Sequence, residues 1–125
     1  MTELRRCLVV DDSSPTRDAV ARMCEHSGYI QAQIADGSLA ALRAIEQQRW
    51  DLIITDINMP VFDGIKLISL IRSNNNNGAT PIIVISTDGT KADIDRALEA
   101  GATAYLHKPF TEKALISLLE TLLPR

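Results

Sequence analysis

Short runs of β-branched and aliphatic residues, separated by stretches of helical period, constrain the fold of this 125-residue chain more than any other feature. The apolar runs fall at residues 7–10, 29–35, 52–55, 82–85 and 104–106. Leu52-Ile53-Ile54 and Ile82-Ile83-Val84-Ile85 are apolar throughout instead of alternating. That pattern belongs to strands covered on both faces, hence to a parallel sheet. Between the runs lie helical signals. Ser14 as N-cap with Pro15 in the first helical position opens a segment that buries Val20 and Met23 and stops near Gly28. Ser38 opens a second, carrying Leu39, Leu42 and Ile45, and Asp63 caps a third with Leu67, Ile68 and Ile71. A fourth runs from about Thr90 to Ala100 and ends at Gly101. Thr111 caps a fifth, with Leu115, Leu118, Leu119 and Leu122 inside. The order is strand then helix, repeated to the end of the chain. Right-handed crossovers between parallel strands place helices on both faces, giving a doubly wound α/β domain. In such sheets ligands bind beyond the carboxyl ends of the strands.

Composition removes several alternatives. The length fits one domain, residues 1–125, with enough core to fold without disulfides or a structural metal. Thirteen basic and 16 acidic residues give a net charge of −3, with no basic excess for a nucleic-acid footprint. The apolar runs are far shorter than the roughly 20 residues of a membrane span, and the opening Met-Thr-Glu-Leu-Arg-Arg-Cys is no signal peptide. Cys7 and Cys24 sit among apolar neighbours and read as small buried hydrophobes in a reducing cytoplasm. Asn74-Asn75-Asn76-Asn77-Gly78 reads as one exposed loop, and Trp50 as packing. His26, near a helix end, and His107, alternating away from Lys108, read as structural. Asp93, Asp95, Arg96 and Glu99 read as a solvated helix face.

The strand ends carry the chemistry. The first ends in Asp11-Asp12, the third in Thr55-Asp56-Ile57-Asn58-Met59-Pro60, the fourth in Ser86-Thr87-Asp88-Gly89 and the fifth in His107-Lys108-Pro109-Phe110. The fold brings Asp11, Asp12, Asp56, Ser86 and Lys108 together. Three carboxylates about 5 Å apart repel by roughly 3 kcal/mol per pair at an effective dielectric near 20. Lys108 offsets one charge, and a divalent cation would offset two more. Oxygen-only ligands in a partly hydrated site favour Mg²⁺, or Mn²⁺, over zinc. A carboxylate, a hard metal, a lysine and a hydroxyl are the parts that handle a phosphoryl group. Asp56 would be the nucleophile, and the Ser86 hydroxyl would bond an attached phosphoryl oxygen.

With Leu8-Val9-Val10-Asp11-Asp12, Asp51 through Pro60 leading to Asp63-Gly64, Pro81 through Ser86, and Gly101-Ala102 leading to Tyr105 and Lys108-Pro109-Phe110, the sequence resembles the receiver domain of bacterial two-component response regulators, the CheY-like type especially. The resemblance covers essentially the whole chain and implies a five-stranded parallel flavodoxin-like sheet of order 2-1-3-4-5. It implies that Asp56 is the phosphoacceptor, that Asp12 binds Mg²⁺ directly and Asp11 through water, and that the Asn58 carbonyl is a further metal ligand. It makes Lys108 the lysine of the family, joined to Pro109 by a cis bond, Ser86 the switch hydroxyl, and Tyr105 the aromatic that turns inward when the hydroxyl moves. The family usually has Ala or Gly where Thr87 stands. Thr87, Asp88 and Asn58 occupy positions that tune the lifetime of the acyl phosphate.

The implied function is acceptance of a phosphoryl group from a histidine kinase or phosphotransfer protein. The face of the fourth helix, fifth strand and fifth helix then switches toward a downstream protein, with Lys91, Ile94, Leu98, Tyr105 and Lys113 as contact candidates. The chain would catalyse only its own phosphorylation and dephosphorylation, as a cytoplasmic monomer or weak dimer that neither binds nucleic acid nor enters a membrane. With no DNA-binding segment after Leu123-Pro124-Arg125, it reads as a stand-alone regulator of chemotaxis or phosphorelay type, or as a receiver excised from a larger regulator. Two other classes fit less well. An aspartyl-nucleophile phosphatase of haloacid dehalogenase type needs a second acid where Asn58 stands. A flavin-binding module needs a Ser/Thr/Gly-rich phosphate loop where Asp11 and Asp12 stand.

Overall fold

The computed structural model describes residues 3–87 and 89–124. Five strands, β1 (Arg5–Val10), β2 (Ile30–Ala35), β3 (Leu52–Asp56), β4 (Ile82–Ser86) and β5 (Ala104–His107), alternate with five helices. The helices are α1 (Ser14–His26), α2 (Ser38–Gln47), α3 (Gly64–Arg72), α4 (Lys91–Ala100) and α5 (Glu112–Leu122). The strands form one parallel sheet in the order β2-β1-β3-β4-β5.

The continuous apolar strands are buried on both sides, as their sequences require. Every residue of β3 and β4 is buried. Alternate side chains enter two separate cores. Leu8, Val10, Ile53, Ile82 and Val84 pack with Leu67, Ile68, Ile71 and Ala97 on the face covered by α2, α3 and α4. Cys7, Val9, Leu52, Ile54, Ile83 and Ile85 pack with Val20, Cys24, Leu115 and Leu119 beneath α1 and α5. β2 lies at the sheet edge, and Ile34 on it is 46% exposed.

Local signals mostly hold, with differences that have physical causes. Asp63, Thr90 and Thr111 each accept a bond from the backbone N–H three residues on. The cap of α1 is Ser13, not Ser14, so Pro15 enters in the second helical position. Either position tolerates proline, because the first N–H groups of a helix have no intrahelical partner. The Asp11 carboxylate settles the choice by accepting the Ser13 N–H at 2.9 Å. On α2, Leu39 is 48% exposed and Ala41, Ala44 and Ile45 face the core instead. Met23, Leu118 and Leu122 are half-buried against the second core.

The asparagine run is not simply an exposed loop. Asn77 is fully buried. Its Nδ2 donates to the carbonyls of Ile45 and Gln48, each at 2.9 Å, and its Oδ1 accepts from the Trp50 N–H at 2.8 Å and the Thr80 hydroxyl at 3.2 Å. One side chain thus closes the end of α2 and fixes the entry to β3, supplying partners that buried backbone groups require. Nearby, Arg72 reaches from α3 to the carbonyls of Gly101, Gly78 and Thr80. Burial lowers its pKa from the ordinary arginine value. Trp50 is buried, and its indole N–H donates to the Ala44 carbonyl at 3.0 Å.

Candidate active site

The carboxyl ends of β1, β3, β4 and β5 converge on one cleft, and each contributes the residue that ends its strand or follows it. Asp11, one residue past β1, is fully buried, and Asp12 beside it is exposed. Asp56, the last residue of β3, is 9% exposed. One carboxylate oxygen from each of the three lies within 4.8 Å of the others. Lys108, just past β5, places its ammonium 3.1 Å from Asp11 Oδ2 and 3.6 Å from Asp56 Oδ2. Its own N–H donates to the Ser86 carbonyl at 2.9 Å, and its bond to Pro109 is cis. Ser86, the last residue of β4, is fully buried.

Among the described residues one ammonium stands among three carboxylates, so the cluster carries an excess of negative charge. The Asp56 carboxyl shows the consequence. Desolvation chiefly raises its pKa above the ordinary value, and the Asp11 charge adds to that rise. Lys108 and the backbone N–H groups of Ile57 and Asn58 pull the other way. The Ile57 N–H lies 2.8 Å from Asp56 Oδ1. All the candidate ligand atoms are oxygens and they converge on one point, so the donor set fits a hard divalent cation. Asp11, Asp12 and Asp56 would hold it.

The backbone behind Asp56 is tightly fitted. The Gly64 N–H donates to the Ile57 carbonyl at 2.7 Å. A Cβ at Gly64 would collide with the Asp56 carbonyl oxygen and stand 2.9 Å from Ile57 Cα. Glycine therefore lets the start of α3 close on the backbone that presents Asp56. In the intervening loop Val61 adopts φ 75°, a left-handed value rare for a β-branched residue, with 77% of its surface exposed.

The remaining candidates surround the cleft. Tyr105 is half-buried, and its hydroxyl donates to the Ser86 carbonyl at 3.3 Å. Thr87 and Asn58 are exposed, whereas Asp88 lies outside the described residues. On α4, β5 and α5, Lys91, Leu98 and Lys113 are exposed and Ile94 and Tyr105 partly buried. His26 pairs with Glu112 at 2.7 Å, joining α1 to α5. His107 does point away from the Lys108 ammonium, toward the Thr87 carbonyl. Arg17 was not among the residues that the strand-end pattern marks. It lies in the first turn of α1, with Nη1 3.5 Å from the Asp11 carbonyl and Nε buried 3.5 Å from Asp18. Its one signal is a cation where the helix dipole favours an anion.

The fold and the acidic cluster at its strand ends are those of a receiver domain, and the family model for the response regulator receiver domain matches residues 7–120, so the chain belongs to that family. Among individual relatives, the chemotaxis protein CheY1 of Helicobacter pylori J99 is 36% identical over 119 residues, covering 94% of this chain and 96% of CheY1. The transcriptional regulatory protein PrrA of Mycobacterium tuberculosis is 39% identical over 120 residues, 96% of this chain but 50% of PrrA. The chain thus spans about half the length of that relative. Among solved structures, chemotaxis protein CheY4 of Vibrio cholerae superposes with a TM-score of 0.90 at 31% identity, covering 96% of this chain and 99% of CheY4. The receiver domain of the sensor histidine kinase PA1611 of Pseudomonas aeruginosa gives a TM-score of 0.89 at 28% identity, covering 98% of this chain and 99% of that one. That receiver has a magnesium ion coordinated in its active-site cleft.

Proposed function

We propose that this chain accepts a phosphoryl group on Asp56 from the phosphohistidine of a kinase or phosphotransfer protein and signals by changing the face it offers a partner protein. The observation that carries the reading is Asp56 clustered with the carboxylates of Asp11 and Asp12 and standing 3.6 Å from the Lys108 ammonium. A carboxylate oxygen of Asp56 attacks phosphorus; the new O–P bond forms as the N–P bond breaks, and the departing imidazole nitrogen takes up a proton. Lys108 stabilises the charge spread over the transferring oxygens. Mg²⁺, held by Asp11, Asp12, Asp56 and the Asn58 carbonyl, would neutralise charge on the acceptor and the phosphoryl oxygens. The acyl phosphate adds close to two negative charges to the cluster. The Ser86 hydroxyl turns toward the new oxygen, Tyr105 fills the space it leaves, and the face of α4, β5 and α5 shifts. Asn58 flanks the path of attacking water, the branched Thr87 narrows access to the phosphorylated site, and these positions together with Asp88 set the lifetime of the phosphoryl group.

The chain on this reading is no enzyme for external substrates; Asn58 stands where an aspartyl phosphatase needs its second acid. Its place is the cytoplasm. The near-complete overlap with CheY1 supports a stand-alone regulator, and the half-length overlap with PrrA supports a receiver joined to an effector domain. Intact-mass measurement after incubation with acetyl phosphate and Mg²⁺ tests the chemistry. The wild type should gain about 80 Da, one phosphoryl group, and the D56N variant should gain nothing. An equal gain in D56N refutes the assignment of Asp56.

A further inference from the structure

The segment that carries Ser86 is gripped by two rings from β5, and the strand-end chemistry uses only one of them. Tyr105 and His107 are two residues apart on β5 and so lie on the same side of the sheet. The Tyr105 hydroxyl donates to the carbonyl of Ser86, and His107 Nε2 lies 3.1 Å from the carbonyl of Thr87, the next residue. A carbonyl only accepts, so the imidazole nitrogen facing it carries the proton. Gly89 closes the same clamp from the loop side. A Cβ there would stand 2.5 Å from His107 Cδ2 and 2.9 Å from the Tyr105 hydroxyl. Both rings therefore touch the loop within three residues of Ser86.

We propose that His107 is a positioning residue for the switch: by donating from Nε2 to the Thr87 carbonyl it latches the loop after Ser86 and opposes its movement toward the phosphorylated arrangement. The inference rests on the receiver chemistry proposed above. A turn of Ser86 toward a phosphoryl group on Asp56 displaces the adjoining Thr87 carbonyl, and the bond at His107 is lost. Tyr105 can follow the vacated space, whereas His107 stays exposed at the rim. A bond made in only one of two arrangements weights that arrangement by its own free energy.

Beryllofluoride with Mg²⁺, a mimic of the attached phosphoryl group, reads the balance directly. Its half-saturating concentration, followed by amide NMR shifts, should fall about threefold in H107V, the weight of one partly exposed hydrogen bond. H107Q, whose amide keeps a donor near the Nε2 position, should return to the wild-type value. The affinity for Mg²⁺ alone should be the same in all three proteins. Independently of any variant, nitrogen NMR of the wild-type ring above the histidine titration range should show the Nε2–H tautomer, with its shift changing on addition of beryllofluoride. Equal half-saturation in H107V and the wild type, or an Nδ1–H tautomer, overturns the latch while leaving the receiver chemistry standing. A wild-type protein that takes up no beryllofluoride overturns the receiver chemistry and the latch with it.

Discussion

The charge imbalance at the cleft makes a measurable demand on stability. Replacing Asp56 by Asn should stabilise the metal-free protein, since the substitution keeps an oxygen to accept the Ile57 N–H and removes a charge. The carboxylate oxygens of Asp11, Asp12 and Asp56 lie within 4.8 Å of one another. At that distance two unit charges repel by about 3.5 kcal/mol at an effective dielectric of 20. Asp12 is exposed, so solvent screens its share. Lys108, 3.6 Å from Asp56, returns about 4.6 kcal/mol on the same footing, but it serves Asp11 as well. Attraction and repulsion nearly cancel, and desolvation, the largest influence on the Asp56 carboxyl, decides the sign. D56N should gain about 1–2 kcal/mol.

The pH dependence follows from the same direction. The Asp56 pKa is raised in the folded protein above its ordinary 3.8. Between those two values the native state binds more protons than the unfolded chain, so stability falls as pH rises through the window and stays reduced above it. D56N lacks that descent. Urea unfolding with a chelator present, from acid to neutral pH, should show the two proteins alike at the acid end and D56N the more stable at neutrality. Saturating Mg²⁺ binds the wild-type acids more strongly and should close or reverse the gap. A D56N protein that is less stable at neutral pH without metal refutes the electrostatic account of the cleft.

Three further outcomes are expected. N77A removes bonds to the Trp50 N–H and the Ile45 and Gln48 carbonyls and leaves buried groups unpaired; it should cost about 3 kcal/mol in urea unfolding with an unchanged m-value, while acetyl phosphate still labels Asp56. G64A forces a Cβ against the Asp56 carbonyl and Ile57 Cα, both backbone; it should lower stability by about 2 kcal/mol and slow phosphorylation, read by thermal unfolding and intact mass. K108M withdraws the ammonium 3.6 Å from Asp56 and should slow labelling by acetyl phosphate about a hundredfold, as single-turnover kinetics will measure.

Much of this architecture can be read from the sequence because its signals are local and redundant. Ile82 to Ile85 tolerates no exposed side, and Asp63, Thr90 and Thr111 each hold their own helix start by one bond. Aspartates and a lysine at strand ends converge because parallel strands all deliver their carboxyl ends to one edge. What escaped depends on distant partners. Nothing beside Asn77 distinguishes it from Asn75 or Asn76, because its role is set by carbonyls near residue 45, in another helix. Leu39 carries the helical period, yet the roll of α2 is decided by the small faces of Ala41 and Ala44 against the sheet. The cap of α1 moves to Ser13 because a carboxylate from the preceding strand end takes its N–H. Val61 sits in a left-handed turn that its own side chain disfavours, within the loop that Gly64 closes on Ile57.

The same packing dictates where any signal from the cleft can go. β3 and β4 are buried along their whole length, so neither can slide without disturbing both cores. Ser86 is locked to β5 by the Lys108 N–H and by the register that pairs it with His107. The path open to displacement is the loop beyond it, which begins at exposed Thr87 and leads into α4. That helix is lightly held: Ala97 is its one buried residue, and its surface ion pairs, Lys91 with Asp95 and Arg96 with Asp93, lie on exposed side chains worth little to stability. Its far end, by contrast, is pinned where Arg72 grips the Gly101 carbonyl at 2.7 Å and the backbone turns with φ 120°. A helix anchored at its far end and joined at its start to the loop after Ser86 pivots instead of translating when that loop moves. Phosphorylation of Asp56 should therefore displace Lys91 and Ile94 further than Leu98, and amide shift changes that grow toward Gly101 would contradict the pivot.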